Sequence, residues 1–234
     1  MMKQNYFEPT WSSIKQHQTP NWFKKAKFGI YAHWGIYSVP AAGPNVTWYP
    51  YWMYRPPSPQ FDYHCKHYGH PSKFGYKDFI PMFTAEKFNA EEWADLYYRS
   101  GAKFAGPVAE HHDGFPMWNC SDTEWCASKM GPKRDIVGQL ETAIRNKGMK
   151  YMVAMHHAEN WFFFPHWNND FDTSKKEYES LYGELHNLDL IGNQAVYPDH
   201  WGRKNEHQDK PSKAFHDRWL NRLKEVVDNY KPDY

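Results

Sequence analysis

The stretch Phe104-Ala105-Gly106-Pro107-Val108-Ala109-Glu110-His111-His112-Asp113-Gly114-Phe115 decides how the chain reads. Phe104 to Ala109 is an apolar run of the kind shown by a strand buried on both faces. Two carboxylates and two imidazoles follow where that strand ends, and Gly114 lets the chain turn. Polar groups at the end of a buried strand are costly to hold without partners. The segment Ala109–Phe115 is therefore a candidate site, and the question is whether other parts of the chain aim groups at it.

Working outward, the same pattern recurs on both sides. Lys27 to His33 reads as a first strand, mostly apolar and ending in histidine. Ala102 to Ala109 is the second strand. Tyr151 to Met155 is a third, and it ends in His156-His157. Between the first two lies a helix with Asn89 and Glu92 as a capping pair, an apolar face of Trp93, Leu96 and Tyr97, and a stop at Gly101. Between the second and third lies a helix capped by Asp135, with Ile136, Val137, Leu140 and Ile144 as its buried stripe and Gly148 at its end. A last helix starts near Ser212, with Phe215, Trp219, Leu223, Val226, Val227 and Tyr230 on its face. Lys231-Pro232-Asp233-Tyr234 then stands where a fourth strand begins. A short helix is expected from Ser12 to His17. Tyr37–Tyr76 and Ala158–Pro211 read as long aromatic connections, and connections of that length in a compact domain are usually functional. Alternation of strand and helix predicts an α/β fold with a parallel sheet. In such sheets ligands bind at the carboxyl ends of strands, and all three strands end in histidine: His33, His111-His112 and His156-His157.

Composition narrows the function. The 234 residues suffice to bury a sizeable core. The net charge of +1, with no basic run interleaved with aromatics, gives no field directed at nucleic acid or an anionic membrane. No run approaches transmembrane length, and the segment Met1–Tyr6 lacks the apolar stretch of a signal peptide, which leaves the compartment open. Three cysteines, Cys65, Cys120 and Cys126, form no disulfide framework and no Cys-x-x-Cys metal pair. Thiols are the default, although Cys120 and Cys126 could bridge under oxidising conditions. Asn45-Val46-Thr47 and Asn119-Cys120-Ser121 fit the N-glycosylation pattern. Aromatic residues make up 19% of the chain, with 12 tryptophans. Their flat apolar faces suit the C–H surface of a sugar ring as well as a core.

Two chemistries fit histidines at strand ends. Histidine is the commonest metal ligand, but adjacent residues in a strand point to opposite faces, and neither His-x-His nor His-Glu-x-x-His occurs. No metal ligand and no cofactor are assigned. The alternative is a polyol pocket, since a neutral imidazole both donates and accepts hydrogen bonds and matches sugar hydroxyls. Trp48 and Trp161, on the long connections, supply apolar faces. A non-catalytic carbohydrate-binding protein and a metal-dependent hydrolase are the competing functional classes.

Several motifs together carry a family resemblance. Lys27-Phe28-Gly29-Ile30-Tyr31-Ala32-His33-Trp34-Gly35, Val46-Thr47-Trp48-Tyr49, Gly101-Ala102-Lys103, Glu110-His111-His112-Asp113-Gly114-Phe115 and Gly131-Pro132-Lys133-Arg134-Asp135 are similar to the α-L-fucosidases of glycoside hydrolase family 29, in order from about Trp11 to Asp233. The resemblance implies a (β/α)8-like TIM barrel, of which residues 1–234 would be the N-terminal portion with the first three βα units. It also implies a retaining mechanism, in which an Asp nucleophile and a carboxylic acid stand ~5–5.5 Å apart. The substrate would be a fucosylated glycan, with neither nucleic acid nor membrane as partner and no oligomeric state indicated. Members of the family are commonly secreted, periplasmic or lysosomal. The matching positions make His33, Trp48, His111, His112 and His156 the fucose-binding residues. Thr47 departs from the Glu that often precedes that Trp, and Met155-His156-His157 stands where many members have a Tyr-containing strand end. The nucleophile and the acid/base are expected beyond Tyr234, so no catalytic residue is assigned, Asp233 included. The chain alone is expected to lack hydrolase activity and, with strand edges exposed, to self-associate.

Other polar groups have structural readings. Glu110 and Asp113 are expected to hold imidazole tautomers or to cap the turn. Arg134-Asp135 reads as a helix-entry salt bridge and cap. His64, His67 and His70 have the spacing of one helix face, with packing or exposed roles expected. Trp93 and Trp219 are expected in the core.

Overall fold

The computed structural model describes residues 7–185 and 210–234. Its centre is a parallel sheet of four segments: β1 (Gly29–Ala32), β2 (Phe104–Glu110), β3 (Lys150–Tyr151) and β4 (Ala154–Met155). β2 lies in the middle. β1 runs beside it from Gly29 opposite Phe104 to Ala32 opposite Pro107, while β3 and β4 pair with its other edge. The expected third strand is thus present but broken at Met152-Val153. The break has a steric counterpart on β2, where Gly106 passes so close to the Met152 carbonyl that a Cβ there would sit 1.7 Å from the oxygen. Pro107, which has no N–H to give to a ladder, falls at the level of the same break. Pairing resumes at Val108 opposite Ala154, and a bulge between Val108 and Glu110 brings Glu110 opposite Met155. After the last helix, Asp233 N–H donates to Tyr151 O at 2.7 Å and Val153 N–H to Tyr234 O at 2.9 Å. Residues 233–234 therefore extend the hydrogen bonding on the outer edge of the third strand.

Among the described residues, four helices are nine residues or longer: α1 (Pro59–His67), α2 (Ala90–Arg99), α3 (Ile136–Asn146) and α4 (Lys213–Tyr230). Their starts follow capping chemistry. Asn89 Oδ1 accepts the N–H groups of Glu91 and Glu92 at 3.0 and 3.3 Å, Asp135 Oδ1 that of Gly138 at 2.8 Å, and Ser212 Oγ that of Phe215 at 2.9 Å. α2 and α3 pack on each other, and α3 packs on β2 with Ile136, Val137, Leu140 and Ile144 buried. The expected helix at Ser12–His17 is a single turn over Trp11–Ile14. Tyr37–Tyr76 is less irregular than its sequence suggests, since it holds α1 and three single turns.

α4 corrects its expected face. Val227 is exposed, whereas Arg222 is buried. The helical period from Phe215 through Trp219 to Val226 and Tyr230 passes through position 222, so an arginine occupies a core place. Trp219 is only half-buried, and Trp93 is half-buried beside Trp34 and Phe88, with ring centroids at 5.1 and 5.2 Å. His64 is fully buried in α1. Its Nε2–H donates to Phe74 O at 2.8 Å, which leaves Nδ1 to accept from the Tyr49 hydroxyl at 2.9 Å. His67 and His70 are exposed, so the three do not converge. Cys65, Cys120 and Cys126 are free thiols. No helix among the described residues is long and apolar enough to cross a membrane.

Candidate functional site

β2 ends at Glu110 and the chain turns at once, with Gly114 N–H donating to His111 O at 3.2 Å. Gly114 takes φ 75°, and a Cβ there would meet Leu181 O at 2.7 Å, so the turn requires glycine. His111 and His112 thus lie past the strand, where alternation no longer separates them. Their rings are 4.3 Å apart, centroid to centroid. His33, one residue past β1, lies 5.3 Å from His111 and 5.2 Å from His156. His156, one residue past β4, lies 5.1 Å from His111 and 5.0 Å from His112, nearly parallel to the latter. Trp48 presents its ring edge-on to His112 at 5.0 Å. All five residues nominated from sequence come together.

Two aromatic neighbours were not anticipated. Phe163 lies 5.5 Å from His112 and 5.4 Å from Trp48, and Tyr37 lies 5.1 Å from His111. Trp161, expected as a sugar-facing ring, is buried with Phe215 at 5.3 Å. In the short helix Asn160–Phe163 the two rings are two residues apart and meet different neighbours, so Phe163 joins the histidine cluster. Glu159 was also missed. It is half-buried in the turn after His156, with a carboxylate oxygen 3.8 Å from His112 Nε2. Its only sequence signal is position, three residues after a strand-end histidine.

The cluster is electrically quiet. Burial, helped by the neighbouring His112, His156 and His33, pushes His111 down to about 2, and burial brings His112 and His156 each down to about 4. Burial lowers His33 as well. The four are neutral imidazoles at neutral pH. His112 Nδ1 lies 2.9 Å from His156 O, a carbonyl that can only accept, so Nδ1 carries the proton and Nε2 keeps its lone pair. His111 Nδ1 and His156 Nδ1 are buried and have no hydrogen-bond partner among the described residues. Ligand atoms of His111, His112 and His156 lie within 4.8 Å of one another.

Glu110 and Asp113 shape the site from below. Glu110 holds an imidazole as expected, but that of His157: its Oε1 is 2.6 Å from His157 Nδ1 and pairs with Arg222 Nη1. Arg222 Nε reaches both Asp122 oxygens at 3.1 Å. Burial alone would raise Glu110, but Arg222 and His157 outweigh it and hold the carboxyl below its usual range. Asp113 braces the turn, with Oδ2 accepting the Tyr76 hydroxyl at 2.7 Å and Oδ1 the Phe115 N–H at 3.3 Å. Burial lifts it to about 7. Asp135 is the expected cap, whereas Arg134 bonds Gln139 Oε1 at 2.6 and 3.1 Å and Phe88 O at 3.1 Å in place of a salt bridge. The planar guanidinium reaches one turn along α3 more easily than back to its neighbour.

Histidines and aromatic rings gathered at the carboxyl ends of parallel strands define an α/β protein with a candidate ligand site at the strand ends. The chain belongs to the alpha-L-fucosidase family, whose sequence model matches residues 1–234. It is similar to the plasma alpha-L-fucosidase of Homo sapiens, 45% identical over 157 residues that make up 67% of this chain and 33% of that protein. It is also similar to the tissue alpha-L-fucosidase of Homo sapiens, 35% identical over 234 residues, 91% of this chain and 49% of that one. Among solved structures, Thermotoga maritima alpha-fucosidase in complex with a mechanism-based inhibitor aligns at a TM-score of 0.73 and 33% identity, over 97% of this chain and 48% of that one. The same enzyme in complex with fucose aligns at 0.72 and 33%, with the same coverage. The chain thus spans a third to about half of the length of these relatives.

Proposed function

We propose that this chain forms the sugar-holding part of a retaining α-L-fucosidase of glycoside hydrolase family 29, acting on fucosylated glycans. Residues 1–234 would be the N-terminal portion of a (β/α)8 barrel, with β1, β2 and the broken third strand as the inner strands of its first three units. The single observation that carries this reading is the convergence of His33, His111, His112 and His156 with Trp48 at three strand ends. Neutral imidazoles donate and accept, so they match ring hydroxyls without a charge to desolvate. Trp48 and Phe163 offer an apolar wall for the C–H face and the methyl group of fucose. A fucose complex of the similar Thermotoga enzyme supports the choice of sugar.

We assign no nucleophile or acid/base within these residues. Glu110 is consumed by Arg222 and His157, and Asp113 by Tyr76 and the turn. Both carboxyl groups are thus tied to protein partners, whereas the two carboxyls of a retaining site must reach the sugar. The test is to incubate the 234-residue chain with an aryl α-L-fucoside while titrating the same preparation with L-fucose. Saturable fucose binding without release of the aryl alcohol is the expected result. Release with retained configuration would overturn this division of roles, and loss of binding would overturn the sugar site itself.

A further inference from the structure

The imidazoles have a second property that sugar recognition does not use. Three of them bring a ring nitrogen each to within 4.8 Å of one another. His112 is fixed by the His156 carbonyl in the tautomer that frees Nε2. A backbone acceptor of this kind commonly sits behind a metal-ligating histidine and sets its orientation. His111 Nδ1 and His156 Nδ1 are buried and unpartnered among the described residues. The three rings come from two strand ends that the sheet holds in fixed register. Glu159, beside His112 Nε2 at 3.8 Å, places a carboxylate over them.

We propose that His111, His112 and His156, with Glu159 closing the fourth position, bind one divalent ion of the zinc, copper and nickel class. Imidazole donors suit these ions, and hard ions such as magnesium prefer oxygen. Zinc bound at ~2.0–2.1 Å to each nitrogen requires donors about 3.3 Å apart. The donor atoms now lie within 4.8 Å, so rotations of the side chains close the site without moving β2 or β4. One carboxylate leaves the bound ion with a net positive charge. The ion and the sugar would occupy the same imidazoles, so each excludes the other. That competition, though not the metal site, rests on the fucose reading given above.

The experiment titrates the full chain with Co2+, followed by its visible absorption, and with Zn2+ by calorimetry. One ion per chain is expected, with the intense band of four-coordinate Co2+. His111→Ala or His156→Ala should abolish the band. Glu159→Gln changes a half-buried side chain without threatening the fold and should weaken affinity about 10-fold or more. His67→Ala and His70→Ala should leave it unchanged. L-fucose at ten times its own dissociation constant should weaken the apparent Co2+ affinity about 11-fold. Absence of a 1:1 site, or a site indifferent to His111, His156 and Glu159, overturns the proposal. If Co2+ binds as described but L-fucose neither binds nor competes, the metal site stands and the sugar reading falls. If L-fucose binds and Co2+ does not, the reverse holds.

Discussion

Replacing Arg222 by Met should cost this chain about 3–5 kcal/mol at pH 7, and the cost should shrink as the solution is acidified. Met fills the space of the arginine stem but removes the charge. Glu110, fully buried, keeps His157 as its one ion-pair partner among the described residues, while Asp122 loses a partner at a partly exposed position where ion pairs contribute little. A stranded carboxylate escapes by taking up a proton. From an ordinary value of 4.5, that uptake costs about 3.4 kcal/mol at pH 7, at about 1.36 kcal/mol per unit. In the parent, Glu110 is held below its ordinary value, so its stabilisation is present above that value and lost as pH falls through the folded one. In the variant the folded value is raised, so folding weakens as pH rises above about 4.5. The gap between the two proteins should therefore close by ~1.4 kcal/mol per unit from pH 7 to pH 5. Thermal and urea unfolding at both pH values measure it. At pH 7 the melting temperature should fall by roughly 6–20 °C, at about 2–4 °C per kcal/mol for a chain of this size. The double variant Glu110→Gln with Arg222→Met should recover most of the loss, because no charge is then buried. A loss below about 1 kcal/mol, or the same loss at pH 5 and pH 7, would refute the reasoning.

Two further changes probe the turn and the sheet. Asp113, raised to about 7 from 3.8, binds its proton more tightly in the folded state, so its contribution is greatest below about pH 4 and is lost as pH rises towards 7. Asp113→Asn should remove that slope, of up to ~1.4 kcal/mol per unit, from stability curves measured between pH 4 and 7. Unchanged slopes would place the titration elsewhere. Gly106→Ala drives a methyl group into the Met152 carbonyl. It should destabilise by at least about 1–3 kcal/mol and loosen the third strand, read as faster amide exchange at Met152, whose N–H donates to Ala105 O.

Much of this architecture is legible in the sequence because the physics that sets it is local. Apolar runs, helix caps at Asn89, Asp135 and Ser212, and stops at Gly101 and Gly148 mark the strands and helices, and alternation marks the parallel sheet. Strand-end histidines mark the site, since few other causes place imidazoles at three such points. What escaped depends on contacts between distant residues. Arg222 carries no apolar signature, yet its partners Glu110 and Asp122 lie about a hundred positions away. The break at Met152-Val153 comes from the approach of Gly106 and Pro107 on the neighbouring strand. Phe163 replaces Trp161 beside the histidines because a single helical turn decides which ring joins them, and composition does not encode that. Glu159 is visible only once His112 and His156 are brought together.

The proposed sugar site stands or falls with binding of L-fucose to the imidazole cluster. Titrating the chain with L-fucose while following the histidine ring resonances by NMR tests this most directly. A single saturable site is predicted, with His33, His111, His112 and His156 shifting together, and with affinity falling more than about 10-fold in Trp48→Ala, a loss of over ~1.4 kcal/mol. Histidine resonances unmoved at saturating sugar, or a Trp48→Ala variant that binds as the parent does, would contradict it.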